Sequence, residues 1–508
     1  MASKFIIFTI SLKISLAQLQ LSETVAIMRF MFAQRAWRFF TTKPLRWILL
    51  LALGVRVACL ALFPHYFDFV ATGRVLGIPS HDIYATNLLE TGVYGYERGV
   101  ADAELPPLYS VFLALLYATL GRGHWQLGLA QSLLELISIA ALFDIAQRLC
   151  PQGTGRLETP HVRTCIASLA ALCYAIYPYL VFQSLTMIDT TLYITGVYVF
   201  LWALVHLNEV PAARVVGWAL TGGIALWLLL LLRPNFVVFL PFALCWLALR
   251  WGWLGSLRRL LLPVVLSIVL ILPWMAYGAS VYGRPVFIAL HGGGNFLQGN
   301  HPCTVPFLRA GYDTSWMSMG SYISESASGN LAEEDSAFFQ AGLDYLIQNP
   351  GKIPELLWVK FLVYWNVDLW PPHNPPTAEE FAALEAVCAG QELAIGAVSE
   401  DDALRLYDEA PEAGLFRTIH RWYFGPLLLL AIWGLWLSRR EWRRVSILWA
   451  VQISMTIVYV VFHPATRYRA PTDPLLFVFS AVALCWLWER AEERGWLLWL
   501  PSTLKHNS

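Results

Sequence analysis

The stretch His463-Pro-Ala-Thr-Arg-Tyr-Arg-Ala-Pro-Thr-Asp-Pro474 sets two guanidinium groups, Arg467 and Arg469, between prolines. It separates two apolar runs, 445–462 and 474–488, each long enough to cross or nearly cross a bilayer. A charge this close to hydrocarbon is expensive, so it generally has a partner or a task. The planar fork of arginine suits phosphate oxygens. One reading is therefore a site for a lipid phosphate. The other is a juxtamembrane anchor whose heads reach the headgroup layer.

A second set of reactive side chains lies far upstream. Ser80-His-Asp82-Ile-Tyr84 opens a segment that continues through Gly92-Val-Tyr94-Gly-Tyr96 to Glu104-Leu-Pro106-Pro107-Leu-Tyr109. Asp82 begins a short amphipathic helix soon after the first apolar run. A carboxylate there stands at the mouth of a helix bundle, where it can take a proton from an incoming hydroxyl. The competing reading is an N-cap or a surface acid. Asp102 and Glu104 are the other carboxylates in reach, and both sit where they could cap the helix after Pro106. Asp189 either shapes an acceptor pocket or caps the helix that follows it. Arg233 either helps hold phosphate or ends a span. Lys360, between Trp358 and Trp365, is a further candidate for a phosphate contact. Arg56, inside the first apolar run, either neutralises a carboxylate within the bundle or snorkels toward one face. His81, His291, His301, His373 and His463 could gather around a metal, but their spacing matches no common ligand motif. No metal is expected, although a divalent ion stays open.

The elements that must carry these residues are membrane helices. The chain has 508 residues, 57% of them hydrophobic and only 14% charged, and its mean hydropathy is +0.54. Soluble domains average about 25% charged residues. Many of the 23 tryptophans stand at the ends of apolar runs, as in an interfacial belt. The zero net charge gives no sign of a nucleic-acid partner. Of eight cysteines, none forms a C-x-x-C. Cys59, Cys173, Cys245 and Cys485 read as core residues, and only Cys303 and Cys388 lie in loops open to oxidation.

Apolar runs occur at about 45–63, 125–149, 165–184, 188–207, 214–232, 235–250, 260–280, 424–437, 445–462 and 474–488. The runs 106–120 and 355–370 are shorter, and 106–120 either spans or lies on the membrane. Basic clusters at Arg29 to Arg46, Arg148 to Arg163, Arg250 to Arg259 and Arg439 to Arg444 fall on one side if 106–120 does not cross. That side is then cytoplasmic by the positive-inside rule. The chain divides into a basic segment 1–44, a transmembrane module 45–280 with its first exterior loop at 64–124, a large exterior segment 281–423, C-terminal helices over 424–490, and a cytoplasmic tail 491–508. Residues 1–27 read as a poorly anchored leader or an over-long start, with Met28 as a natural beginning. The acidic stretch Glu379 to Asp408 reads as a solvated helical face. No long internal repeat is visible, which weighs against a transporter built from duplicated halves.

The order of motifs resembles a family, the polyprenyl-phosphate-sugar glycosyltransferases, including protein mannosyltransferases and lipid A aminoarabinose transferases. Asp82 with the following Tyr84 and Gly92-Val-Tyr94-Gly, Pro106-Pro107-Leu-Tyr109, and Tyr177-Pro178 with Asp189 are similar to elements of that family. So are Leu232-Arg233-Pro234, Gly293-Gly-Asn295-Phe-Leu-Gln-Gly299-Asn300, the stretch from Asn349-Pro-Gly through Lys360 to Trp365, and Thr466-Arg-Tyr-Arg-Ala-Pro471-Thr-Asp-Pro474. At the second acidic position this chain has Asp189 where relatives often have Glu. The resemblance runs from about 45 to 488. It leaves out 377–415 and the first 27 residues.

The resemblance implies an all-α polytopic bundle of the GT-C type, with roughly 10–13 transmembrane helices and exterior loops carrying the active site. It implies a bacterial inner-membrane enzyme, facing the exterior, that moves a sugar from a polyprenyl-phosphate carrier to an acceptor hydroxyl. The acceptor would be a glycan, a lipid or a protein. Asp82 would be the base. Arg467, Arg469, Lys360 and Arg233 would hold donor phosphate, with Asp189, Tyr84, Asp102, Glu104 and Asn300 in secondary roles. The absence of a G-x-G-x-x-G or Walker pattern argues against a nucleotide-sugar donor. The rivals are a transporter or flippase of lipid-linked sugars, and a glycan ligase or polymerase of similar architecture.

Overall fold

Inside a bilayer a backbone must satisfy its own N–H and C=O groups, which long apolar runs do by coiling into helices. The computed structural model describes residues 43–149, 160–211, 214–317, 330–371 and 411–494. The expectations for residues 1–42, His373, Cys388, the stretch Glu379 to Asp408 and the tail beyond 494 lie outside these. Among the described residues every extended element is a helix, and the single β-type contact is an isolated bridge between Gly77 and Met187. The all-α polytopic architecture expected from the sequence is what the chain adopts.

The principal helices are α1 (Lys43–Leu62), α2 (Ser80–Thr91), α3 (Pro107–Leu120), α4 (His124–Leu149), α5 (Pro160–Ala175), α6 (Thr190–Glu209) and α7 (Val215–Leu230). They continue with α8 (Leu240–Tyr282), α9 (Gly292–Gly299), α10 (Leu331–Gln348), α11 (Ile353–Tyr364), α12 (Pro411–Leu437), α13 (Trp442–Val461) and α14 (Asp473–Glu493). Six continuous helical stretches are long and apolar enough to cross a membrane. Two of them each hold a pair of the apolar runs. The stretch through α8 breaks at Gly252, whose φ of 64° is left-handed. The α12–α13 stretch breaks at the short turn Ser438–Glu441. The outward faces of α1 and of α8 beyond Gly252 expose leucines, isoleucines and valines such as Leu50, Leu261, Ile268 and Leu272. Lipid is the solvent that such faces require, so the chain is an integral membrane protein.

The run 165–184 departs from its expected form, and 106–120 takes the second of its two readings, each for an identifiable reason. The run 165–184 is helical only to Ala175 before it breaks, because Pro178 holds Tyr177 extended at ψ 112°. The run 106–120 becomes α3, whose 14 residues reach only about 21 Å, short of a hydrocarbon core of about 30 Å. Its Ser110 Oγ lies 3.0 Å from His81 Nδ1, and Arg122, just past its end, meets Asp82. It therefore lies along α2 and does not carry the chain to the opposite end of the bundle.

Arg56 resolves between its two readings. It is fully buried, and its Nη2 donates to Glu135 Oε2 at 2.9 Å. Its Nε donates to Ser184 Oγ, and its Nη1 reaches the carbonyls of Ala52 and Ala175. The last of these is the final residue of α5, so a side chain of α1 caps that helix.

The bundle has two distinct ends. Asp189 before α6, Arg233 after α7, Phe462 after α13 and the segment 64–124 converge at one. The last turns of α4 and α6, Arg250, and the first turn of α13 converge at the other. Three of the four basic clusters thus contribute to the second end. Since Pro234 lies at the first end and Tyr282 Oη there accepts the N–H of Ala103, the two halves of α8 run in opposite directions.

Candidate functional site

At the first end is a cavity of about 390 Å³. Its position follows from how the segment 64–124 is tied down. Leu76 to Ile78 lies against Met187, with Ile78 N–H donating to Met187 O at 2.9 Å and Met187 N–H to Leu76 O at 2.8 Å. Gly77 has φ +124°, and a Cβ there would stand 2.1 Å from the Met187 carbonyl oxygen, so only glycine permits this approach. The bridge brings His81 and Asp189 to the same wall.

Asp189 occupies the N-cap position of α6 but caps nothing. Its carboxylate forms a two-pronged pair with Arg233, Nε to Oδ2 at 2.7 Å and Nη2 to Oδ1 at 2.6 Å. Arg233 also lies over the rings of Tyr193 and Tyr468. Burial pushes the Asp189 carboxyl up, and Arg233 outweighs it, so the group stays below the usual carboxylate range. Arg467 lines the same cavity. Its Nη2 donates to Tyr468 Oη at 2.8 Å. Burial works against its charge, but Tyr468 and Asp313 hold the group firmly protonated. Arg233 Nη1 and Arg467 Nε are both buried with no hydrogen-bond partner among the described residues.

His81 and His463 do not add charge to the cavity. Burial lowers His81 to about 4, with Asp189 opposing and Arg233 assisting. Burial likewise lowers His463 to about 4, against Asp313 and with Arg467. At neutral pH Asp189 offsets the charge of Arg233, and Asp313 lies close enough to Arg467 to offset part of its charge. Two guanidinium N–H groups in want of acceptors make this a site for an anion. His291 also lines the cavity. Among the described residues no three His, Cys, Asp or Glu side chains are placed to hold a metal ion.

Other predicted residues lie elsewhere. Asp82 does not line the cavity. Its Oδ1 accepts from Tyr117 Oη at 2.8 Å and Arg122 Nε at 3.0 Å, and its Oδ2 accepts from Arg122 Nη2 at 2.6 Å. Arg469 is fully buried beside Asp473, Nε to Oδ1 at 3.1 Å, and its Nη1 donates to the carbonyls of Tyr364 and Asn366. Tyr177 Oη donates to the same Asp473 at 2.9 Å. Tyr84 Oη donates to Asp102, which also accepts the N–H groups of Tyr96 and Glu104. That pair closes the segment 64–124 on itself.

Lys360 is fully buried, and its Nζ donates to the carbonyls of Gly299, Val461 and Phe462 and to Asn300 Oδ1, all at 2.9–3.1 Å. Asn300 Nδ2 in turn reaches the carbonyls of Phe296 and Val461. Lys360 and Asn300 thus bind the end of α9 to the end of α13. Gly299 permits the contact, since a Cβ there would lie 1.8 Å from the Phe462 oxygen.

Glu104 stands at the rim. Leu105 and Pro106 beside it line the cavity, as does His291, whose Nδ1 is 3.9 Å from Glu104 Oε1. Burial pushes the Glu104 carboxyl up, only partly offset by His291. Sequence reasoning passed over Arg122 and Asp313. A lone arginine between Gly121 and Gly123 was a signal for the first. Asp313, whose Oδ1 accepts from Ser315 N–H, had none.

No family model and no curated protein matches the chain. Among solved structures it is similar to ArnT from Cupriavidus metallidurans bound to undecaprenyl phosphate. The identity is 17%, over 88% of this chain and 78% of that one, with a TM-score of 0.37. It is also similar to the same protein in the apo state, at 17% identity over 86% and 78%, with a TM-score of 0.36.

Proposed function

We propose that this chain is a membrane glycosyltransferase that moves a sugar from a polyprenyl-phosphate carrier to an acceptor hydroxyl at the exterior face. The observation that carries the reading is the pair of buried guanidinium groups, Arg233 and Arg467, that face one cavity with N–H groups to spare. In the proposed reaction the acceptor oxygen attacks the anomeric carbon as the bond to the phosphate oxygen breaks. The phosphate leaves with the electron pair, and the configuration inverts. Arg467, helped by Arg233, stabilises that developing charge.

The acceptor's proton goes to a carboxylate. Glu104 is better placed for it than Asp82. It sits at the rim beside His291, and burial raises its affinity for a proton toward the range a base needs. Asp82 has both oxygens committed to Arg122 and Tyr117, which suits it to fix α2 against α3. Asp189 keeps Arg233 in register. Arg469 and Lys360 support the walls.

Two measurements test this reading. Arg467→Ala should remove about 1.5–3 kcal/mol of charge-assisted contact to the phosphate, and Arg467→Lys should restore only part of it because the fork is lost. Donor binding and sugar transfer in proteoliposomes read this directly, and unchanged transfer by Arg467→Ala removes the residue from the site. For sidedness, the exposed Arg74 replaced by cysteine should react with an impermeant maleimide from outside the cell. Reaction only after the cytoplasmic face is opened reverses the orientation.

A further inference from the structure

The second end of the bundle carries a pocket of its own, of about 310 Å³. Four helices meet there. Leu149 comes from the end of α4, Val205, Asn208 and Glu209 from the end of α6, Trp246 to Arg250 from α8 before its break, and Arg443 and Arg444 from the first turn of α13. The floor is apolar, with Leu149, Val205 and Trp246 all buried. The rim is basic, with Arg250 and Arg443 exposed. The acids nearby do not neutralise it. Glu209 Oε2 is taken by Arg148 Nη1 at 2.5 Å, and Asp144 Oδ2 by Arg148, Trp202 and His206.

A second observation is independent of charge. Trp246 is only 3% exposed, and its indole Nε1–H has no hydrogen-bond partner among the described residues. The Asn208 side-chain oxygen, in the same pocket, has none either. A buried donor and a buried acceptor left open are costly unless something satisfies both.

We infer that this pocket binds a phosphate ester with an apolar tail, the headgroup of an anionic glycerophospholipid. Guanidinium forks take the phosphate oxygens, the indole N–H takes a further oxygen, and a headgroup hydroxyl donates to Asn208. Leu249, 43% exposed beside Arg250, gives an acyl chain its path to the bilayer. Basic pockets between helices at a cytoplasmic face are suited to such lipids. The site stands apart from the exterior cavity and does not depend on what reaction occurs there.

The test uses the full chain purified in detergent and titrated with short-chain phosphatidylglycerol, with phosphatidylcholine and with glycerol phosphate, read by native mass spectrometry. Phosphatidylglycerol should bind in preference to phosphatidylcholine. Arg250→Gln and Arg443→Gln, both at exposed positions, should each weaken it roughly tenfold or more. Trp246→Phe, which keeps the ring and removes the donor, should weaken it with no loss of thermal stability. Equal retention of phosphatidylglycerol by all three variants and the parent overturns the site. Competition by glycerol phosphate at the same concentration overturns the lipid assignment and gives the pocket to a soluble phosphate ester.

Discussion

Glu104→Gln should slow sugar transfer by about 10²–10⁴-fold, the usual loss when a general base is removed, and leave binding of the lipid-linked donor nearly intact. The substitution keeps shape and hydrogen bonding at the rim. It removes only the site that accepts the acceptor's proton. Arg233 and Arg467 keep their positions, so donor affinity should hold. Asp82→Asn makes the informative comparison. It weakens the tie to Arg122 and Tyr117, so its main cost should be to stability, with transfer per folded molecule much less affected. If Asp82→Asn instead loses transfer while folding normally, and Glu104→Gln keeps near-native turnover, the base belongs to Asp82. If both carboxylates can be removed without slowing transfer, neither is the base; if the parent chain transfers no sugar at all, the glycosyltransferase reading fails, and a transporter of lipid-linked sugars gains.

Arg56→Met should destabilise the bundle by about 3–5 kcal/mol, the cost of leaving one member of a buried ion pair without the other. Glu135 would face hydrocarbon-like surroundings alone. Ser184 and the last carbonyl of α5 would also lose their donor. The double change Arg56→Met with Glu135→Leu should recover most of the loss, because no charge then remains to be paired. Unfolding in mixed detergent measures both. A double variant as unstable as the single one, or a single variant within about 1 kcal/mol of the parent, a cost more typical of exposed pairs, shows that the pair does not stabilise the bundle.

The membrane architecture was legible because hydropathy is a local property. Each apolar run has its helix, and the breaks at Gly252 and before Pro178 occur at residues whose backbone limits are visible in the sequence. Arg467, Asp189 and Arg233 could be named as candidates because each stands at the end of an apolar run, where the helices must converge. Partnerships were harder to read. Asp82 and Arg122 are forty residues apart, and only the course of α3 along α2 brings them together. Lys360 meets mainly backbone carbonyls, and carbonyls carry no identity in a sequence. Arg469 is the instructive case. Asp473 lies four residues on, at the spacing of neighbours on a helix face, so a local partner was available before any phosphate needed to be invoked.

The buried Lys360 amine has a mechanical consequence. It is shared by oxygens from two separate pieces of chain, the Gly299–Asn300 corner and Val461–Phe462 at the end of α13. Pulling these apart would cost a buried amine two of its four acceptors at once. The lobe built on α9 and α11 is therefore riveted to the transmembrane scaffold and is a poor candidate for a hinged cover.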